Sequence, residues 1–225
     1  MADRSALQTL APEITDQIER LDLRHDIPLV VVDVDEVLAL FVEGFGRFVA
    51  SHGLEMRLQR FALFQNLYRP GESAPITLEE GRALFDAYFA LDRHDLDATP
   101  GAAAALSEIA RVARIVILTN APAASRDARE RWLDDHGLAY DLVIGAGPKG
   151  APVAAMAERS RAGVAFVDDL LVNLDSVAEA APSVRRFQMV ADVRLRAMAP
   201  TAPERHTRID DWAKLAPAIT ASIGR

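Results

Sequence analysis

Several residues that can bind a cation, transfer a proton or hold a phosphate stand directly after apolar runs or in a loop that follows one. They are Asp33, Asp35, Thr119, Asn120, Lys149, Asp168 and Asp169. If the carboxylates were held together they would repel one another, so they would have to take up protons or share a cation. Oxygen donors suit a hard cation, and Mg2+ usually leaves several positions to water and substrate phosphate. The set therefore predicts a Mg2+ site that receives a phosphorylated ligand.

The other members of this set would add positive charge and hydrogen bonds. Lys149 would neutralise the phosphate or a nucleophilic carboxylate, and the Thr119 hydroxyl and Asn120 N–H would donate to phosphate oxygens. Each residue also has an ordinary structural interpretation, because Asp or Thr-Asn after a strand commonly caps a turn or helix. A lone lysine is usually a solvated surface residue. The order of these residues and their placement after strands favour a functional site.

Short apolar runs predict buried strands that would bring these residues to one edge of a sheet. The runs are Pro28–Asp33, Arg114–Thr119, Asp141–Gly145, Gly163–Asp168 and Val184–Val190. Helical patterns lie before and between them, at Ser5–Leu21, Gly101–Val112, Ala124–Gly137, Ala151–Arg161 and Leu170–Ala181. This alternation predicts an α/β fold with a doubly wound, five-stranded parallel sheet. In such sheets, ligands bind outside the carboxyl ends of the strands.

The interval from Glu36 to Thr99 contains no run that resembles a strand. It predicts helices instead, at Val37–His52, Arg57–Leu67 and Leu78–Leu91. About sixty residues is too long for an ordinary connection between two strands. We therefore predict a small α-helical cap at residues 36–99, inserted into an α/β core of residues 1–35 and 100–225.

The ordered motifs resemble those of the haloacid dehalogenase-like (HAD) superfamily of hydrolases, in its phosphatase type. That family's first motif, an apolar strand followed by Asp-x-Asp, is similar to VVVDVDEVL at Asp33 and Asp35. Its second motif, a strand ending in Thr or Ser, is similar to IVILTN, and its third, a lysine near the start of a helix, to GPKGAP. Its fourth, acids after a strand, is similar to VAFVDDLLVN. The resemblance implies a Rossmann-like core with strand order 5-4-1-2-3 and a cap between the first two motifs.

The resemblance also implies a role for each residue. Asp33 would be the nucleophile that forms an aspartyl-phosphate. Asp35 would protonate the leaving oxygen and then accept a proton from the attacking water. Thr119 and Lys149 would hold the phosphoryl group, with Asn120 as a further substrate-binding residue. The implied Mg2+ ligands are Asp33, Asp35 through its carbonyl, Asp168 and Asp169.

The implied activity is Mg2+-dependent removal of phosphate from a small phosphorylated metabolite. A HAD-type phosphotransferase or mutase would share every motif, and a non-catalytic binding protein would share the fold. Glu36 departs from the family pattern, since many members have Gly after the second Asp. A bulky acid there could alter the hinge of the cap or reach into the site.

The loop Gly145–Gly150 offers a further alternative, because it matches a GxGxxG pattern that follows a strand and opens a helix. That pattern is typical of NAD(P)-binding sites. However, Pro148 stiffens the loop and removes an N–H that would face a pyrophosphate. The chain after the motif is too short for the usual two halves, and the motif leaves VVVDVDEVL unexplained. We therefore favour the phosphate chemistry.

Composition excludes other classes of protein. The chain has 225 residues and a net charge of −8, which disfavours nucleic-acid binding, and it has no cysteine for thiolate chemistry. No apolar run approaches the ~20 residues that span a bilayer, and the first residues do not resemble a signal peptide. We expect a cytoplasmic protein without a membrane partner, acting on a small phosphorylated substrate. The sequence leaves the oligomeric state open.

The cap would recognise the leaving group of the substrate. Candidates for this contact are Phe41, Phe45, Arg47, Arg60, Phe64, Asn66, Tyr68 and Arg69. The helical spacing of Phe41, Phe45 and Phe48 is also typical of a helix core. The arginines would either meet an anionic substrate or lie in solvent.

Overall fold

The computed structural model describes residues 10–24 and 26–224. Its elements are α1 Pro12–Glu19, β1 Leu29–Val32, α2 Phe41–Ser51, β2 Glu55–Met56, β3 Leu67–Tyr68, α3 Leu78–Phe89, α4 Ala102–Ile109, β4 Arg114–Thr119, α5 Arg126–Asp135, β5 Asp141–Ile144, α6 Gly150–Glu158, β6 Val164–Asp168, α7 Leu171–Ala180, β7 Arg185–Gln188, β8 Thr207–Arg208 and α8 Trp212–Ile223. The first residues of the predicted helix Ser5–Leu21 lie outside the described part of the chain. No helix in the described residues is long and apolar enough to cross a membrane.

The main sheet is parallel, with its strands in the order β5-β4-β1-β6-β7-β8. In chain order, the five predicted strands are β1, β4, β5, β6 and β7 of the structure. The observed order β7-β6-β1-β4-β5 therefore confirms the predicted order 5-4-1-2-3. A sixth strand, β8, extends the predicted five-stranded sheet beside β7. Since β8 has only two residues, it leaves no apolar run in the sequence. β1 lies in the middle of the sheet, so its carboxyl end opens between the ends of β4 and β6.

Helices cover both faces of the sheet, which confirms the doubly wound α/β class. Val30 and Val32 of β1 belong to a core cluster that includes residues of α4, α5 and α8. Leu29 and Val31 belong to a second cluster, with residues of α1, α6 and α7. Successive side chains of a strand point to opposite faces, so a strand covered on both faces must be apolar throughout.

Between β1 and α4, the structure confirms helices in two of the three predicted places, but the predicted helix Arg57–Leu67 is wrong. That segment forms most of a loop between the antiparallel strands β2 and β3, with a 3-10 turn before β3. The buried side chain of Asn66 donates to the carbonyls of Arg60 at 2.9 Å and Ala62 at 2.6 Å. Its oxygen accepts from the N–H of Gln59 at 3.1 Å. A side chain that satisfies loop backbone groups in this way competes with helix formation.

An aromatic cluster joins α2 to α3. Its members are Phe41, Phe45, Phe48, Phe85, Tyr88 and Phe89. α3 also approaches the 3-10 turn closely, because a Cβ at Gly81 would lie 2.8 Å from Phe64. The boundaries of the cap, at residues 36 and 99, remain a prediction.

Candidate active site

An ion-paired cluster lies at the carboxyl end of β1. Asp33 directly follows β1, Asp168 ends β6, and Lys149 directly precedes α6. Lys149 Nζ lies 2.6 Å from Asp33 Oδ1 and 2.8 Å from Asp168 Oδ2, and all three side chains are buried. The structure therefore brings these three candidate residues together at one edge of the sheet.

The loop between β5 and α6 delivers Lys149 to this cluster. Gly147 has a φ of 74°, a conformation that favours glycine, and its carbonyl accepts from Asn120 Nδ2 at 2.8 Å. A Cβ at Gly150 would stand 2.3 Å from the carbonyl oxygen of Ser176 in α7. The glycines thus allow the loop to turn and α6 to pack closely on α7, while Lys149 enters the acidic cluster.

The adjacent acids Asp168 and Asp169 have different surroundings. Asp168 Oδ1 accepts from the Leu170 N–H and from Asn173 Nδ2, both at 2.9 Å, while Oδ2 accepts from Lys149. These donors fix Asp168 as the residue that orients Lys149. The Asp169 carboxylate is also buried, but no donor among the described residues binds it. Its oxygens therefore remain available to a cation.

The cluster contains more carboxyl groups than cationic groups. One oxygen each from Asp33, Asp168 and Asp169 lie within 4.8 Å of one another. Burial raises the pKa of Asp33 to about 7, with Lys149 opposing and Asp168 reinforcing the change. Burial, reinforced by Asp168, also raises the pKa of Asp169. Burial would lower the pKa of Lys149, but the carboxylates of Asp168 and Asp33 outweigh it and raise that pKa.

The donor set of this cluster fits Mg2+. It offers only oxygen atoms, its ionised form is destabilised by burial and mutual repulsion, and Lys149 compensates only part of the charge. Asp33 and Asp169 are the residues that would hold the ion most directly, since Asp168 is occupied by protein donors. The Asp35 carboxylate is not part of the cluster; the resemblance assigned its carbonyl instead.

Asp35 is bound by Arg129, a residue that the sequence reasoning missed. Arg129 Nη2 lies 2.9 Å from Asp35 Oδ1 and 3.1 Å from Oδ2. Arg129 is fully buried, and its guanidinium carbon lies 5.4 Å from the ring centroid of Phe89. A signal was present, because Arg129 lies one helical turn from Trp132 and Leu133 on the buried face of α5. An arginine on an apolar face requires an anionic partner.

Glu36 adopts the left-handed conformation, with a φ of 61°. This region favours glycine and costs other residues about 1–2 kcal/mol. The buried Glu36 carboxylate accepts from the N–H groups of Val42 at 2.7 Å and Asp192 at 3.2 Å. Burial raises the pKa of Glu36 to about 7, against the lowering effect of these hydrogen bonds. The residue that departs from the family pattern therefore joins the start of α2 to the loop after β7.

Thr119 and Asn120 occupy different environments. Thr119 ends β4 and is fully buried, and its hydroxyl accepts from the Ala121 N–H at 3.4 Å. Asn120 lines a cavity above the acidic cluster. Of Thr119 and Asn120, the structure brings only Asn120 to the cavity surface, where Lys149 also lies.

That cavity has a volume of about 250 Å3 and two chemically distinct sides. Its polar floor consists of Asp33, Asp35, Glu36, Asn120, Lys149, Asp169 and Asn173. Its apolar wall consists of Phe41, Val42, Phe61, Ala62, Leu63, Phe85, Leu170 and Leu195. The floor is formed at the carboxyl edge of the main sheet. Apart from Leu170 and Leu195, the wall comes from the segment between β1 and α4.

Most of the residues predicted to contact the leaving group lie away from the cavity. Phe41 alone among them lines the cavity. Arg47 binds Asp95 at 2.9 Å, Arg69 binds Glu80, and Arg60 is exposed outside the wall. Sequence reasoning did not identify the other wall residues, which are Val42, Phe61, Ala62, Leu63, Phe85, Leu170 and Leu195.

Comparison with solved structures shows which proteins share this fold. A HAD-superfamily hydrolase from Ehrlichia chaffeensis has 15% identity and a TM-score of 0.53, over 88% of this chain and 98% of its own. A predicted phosphoglycolate phosphatase from Haemophilus somnus has 14% identity and a TM-score of 0.56, over 85% and 97%. The HAD-type protein YfnB from Bacillus subtilis, in its magnesium-bound form, has 14% identity and a TM-score of 0.56, over 86% and 99%. No protein-family model and no curated protein matches the chain.

The chain thus has the fold of HAD-superfamily hydrolases, as its motifs predicted. At these identities the similarity establishes the fold. The activity has to be argued from the cluster, the Asp35–Arg129 pair and the cavity.

Proposed function

We propose that this protein is a Mg2+-dependent hydrolase of small phosphate monoesters that acts through an aspartyl-phosphate. The observation that carries the proposal is the Asp33–Lys149–Asp168 cluster, with the Asp169 carboxylate unbound by protein donors, at the floor of a cavity. The nucleophile, an adjacent cation and a vacant carboxylate are the groups that phosphoryl transfer requires in one place.

In the first step, an Asp33 carboxylate oxygen attacks phosphorus as the bond from phosphorus to the leaving oxygen breaks. Asp35 donates a proton to that oxygen, so the product leaves as an alcohol. In the second step, a water oxygen attacks the phosphorus of the aspartyl-phosphate and gives its proton to Asp35. The bond from phosphorus to Asp33 then breaks, releasing inorganic phosphate and restoring both carboxyl groups.

The surrounding residues support these steps by orientation and charge. Lys149, fixed by Asp168, places positive charge beside the nucleophile and the transferring group. Arg129 holds Asp35 at the cavity floor. Mg2+ held by Asp33 and Asp169 would supply further positive charge to neutralise the phosphoryl oxygens.

The test is phosphate release from a panel of phosphate monoesters, with Mg2+ or with EDTA. The variants are Asp33→Asn and, as a matched control, Asp127→Asn, which changes an exposed acid on α5. We expect Mg2+-dependent release by the native protein and the control, and none by Asp33→Asn. Release that survives Asp33→Asn would overturn the proposed nucleophile.

The same assay separates hydrolysis from its alternatives. A phosphotransferase would consume ester without releasing an equal amount of phosphate, because the phosphoryl group would pass to an added acceptor alcohol. A binding protein would consume no ester while still binding it in the presence of Mg2+. Either result would overturn the proposal of a hydrolase.

A further inference from the structure

The apolar wall of the cavity, rather than the floor, indicates which kind of leaving group the cavity accepts. Every wall residue is aliphatic or aromatic: Phe41, Val42, Phe61, Ala62, Leu63, Phe85, Leu170 and Leu195. A phosphoryl group seated on Asp33 would direct the remainder of its ester toward this wall, because the other side of the cluster is the buried end of the sheet. The wall is therefore the surface that a leaving group would contact.

Two arginines of the segment between β1 and α4 are bound to acids outside the cavity, and Arg60 is exposed and does not line it. Arg47 binds Asp95 at 2.9 Å and Asp97 at 3.1 Å, and Arg69 binds Glu80. Among the described residues that line the cavity, Lys149 is the only cation, and it is bound by Asp33 and Asp168. A second anionic group on a substrate would therefore find no cation at the wall.

This charge distribution makes it unfavourable to place an anionic group of the substrate at the wall. The floor already contains the carboxyl groups of Asp33, Asp35, Glu36 and Asp169, which would repel a further anion. Placing an ionised carboxylate or phosphate against the wall would remove its water without providing a partner. The hydroxyl groups of a polyol would also lose hydrogen bonds there. An aromatic or branched aliphatic group would instead gain contact area.

We infer that the leaving group of the substrate is an uncharged, predominantly apolar alcohol, aromatic or branched aliphatic, small enough for a cavity of about 250 Å3. This inference rests on the proposed function. It assigns the wall as the specificity surface and excludes bisphosphates, phosphorylated acids and sugar phosphates as the preferred class.

The experiment compares three alkyl esters with similar reacting centres: 2-phenylethyl phosphate, 2-carboxyethyl phosphate and glycerol 1-phosphate. For the native protein with Mg2+, we expect kcat/KM for the phenylethyl ester to exceed the other two by at least about tenfold. A preference for the carboxyethyl or glycerol ester would overturn the inference while leaving the hydrolase intact.

Two variants sharpen this comparison. Leu63→Arg, at a half-buried wall position, should raise kcat/KM for the carboxyethyl ester and lower it for the phenylethyl ester. Arg60→Ala, at an exposed position beyond the wall, should change neither. Loss of carboxyethyl turnover in Arg60→Ala would show that Arg60 serves as an anion-binding residue, and would overturn the inference.

Binding measurements distinguish a failure of the wall assignment from a failure of the proposed hydrolase activity. Calorimetry of Asp33→Asn with each ester and Mg2+ should show tightest binding of the phenylethyl ester. If the native protein hydrolyses nothing but this order of affinity holds, the hydrolase proposal fails and the wall assignment stands. If the carboxyethyl or glycerol ester binds most tightly, the wall assignment fails whatever the turnover.

Discussion

The floor and the wall of the cavity are built on different physical principles. On the floor, Lys149 is paired with Asp33 and Asp168, and Asp35 is paired with Arg129, while the Asp169 carboxylate is left for a cation. On the wall, Phe41 and Phe85 contact each other and their neighbours through non-directional packing. Removing one member of a buried charge pair leaves an uncompensated charge, whereas an apolar surface tolerates substitutions of similar volume. We therefore expect the floor to determine the type of reaction and the wall to determine the preferred leaving group.

The largest effect should come from Lys149→Met, which removes the cation of the floor. We expect kcat to fall roughly 10²–10³-fold, the range for loss of one preorganised charge-stabilising donor. Unfolding by urea, measured without Mg2+, should show lower stability, because Asp33 and Asp168 lose their partner.

The double variant Lys149→Met with Asp168→Asn serves as the control for folding. Removing one of the acids should recover part of the lost stability while leaving kcat low. A Lys149→Met protein with kcat within about fivefold of the native value would contradict the assignment of Lys149 to phosphoryl transfer.

Arg129→Met should have the next largest effect, because it releases Asp35 from its only ion-pair partner among the described residues. For alkyl phosphates, we expect kcat to fall roughly 10–100-fold, since their alcohols need a proton to leave. For 4-nitrophenyl phosphate the loss should be much smaller, since nitrophenolate departs without one. Comparison of the two substrates measures this difference.

The matched control is Arg131→Met, on the same helix, where Arg131 is exposed and donates to the Asp92 carbonyl. This variant should lower both rates little. Equal losses on both substrates in Arg129→Met would indicate that Arg129 supports the fold rather than the position of Asp35.

A smaller effect, on stability alone, is expected from His94→Leu. Burial, reinforced by Arg129, lowers the pKa of His94 from 6.5 to about 4. The unfolded chain therefore takes up a proton at a higher pH than the folded chain, and stability is lost as pH falls from about 6.5 toward 4. At pH 5 this loss is about 2 kcal/mol.

Replacing His94 with Leu removes the titrating group, so the difference in unfolding free energy between pH 7.5 and pH 5 should shrink by about that 2 kcal/mol. Urea denaturation at the two pH values measures it. The exposed His52, changed to Leu, is the control and should leave the difference nearly unaltered. An unchanged pH dependence in His94→Leu would show that other groups cause the acid sensitivity.

The smallest effect should come from Phe85→Leu in the wall. The substitution keeps an apolar side chain, so we expect kcat for 4-nitrophenyl phosphate to change by no more than about twofold. The phenylethyl ester should lose affinity through reduced contact area. A large loss of kcat on both esters would show that floor and wall are not separable.

Sequence reasoning predicted the core of the fold because its signals are local. Continuous apolar runs mark β1, β4, β5 and β6, and strand ends place acids and Lys149 at one edge. It failed at Arg57–Leu67, where the pattern indicated a helix and the side chain of Asn66 instead organises a loop. That outcome depends on tertiary hydrogen bonds that periodicity does not record.

The candidate site could be predicted only in part, for a similar reason. Asp33, Lys149, Asp168 and Asp169 follow strands or open a helix, so their positions follow from topology. Arg129 comes from the middle of α5, and only its buried placement reveals that it meets Asp35. The departure at Glu36 is visible in the sequence, but its link to Val42 and Asp192 is not.

The central position of β1 has a consequence for the timing of folding. Its residues pair with Arg114–Ile117 of β4 and Val164–Val167 of β6, which are far away along the chain. Contacts of such high sequence separation form late and slow the folding reaction. At synthesis rates of about 5–20 residues per second, Asp33 is made several seconds before Asp168. The floor therefore cannot form until β6 has been synthesised, and truncations that remove β6 would prevent its assembly.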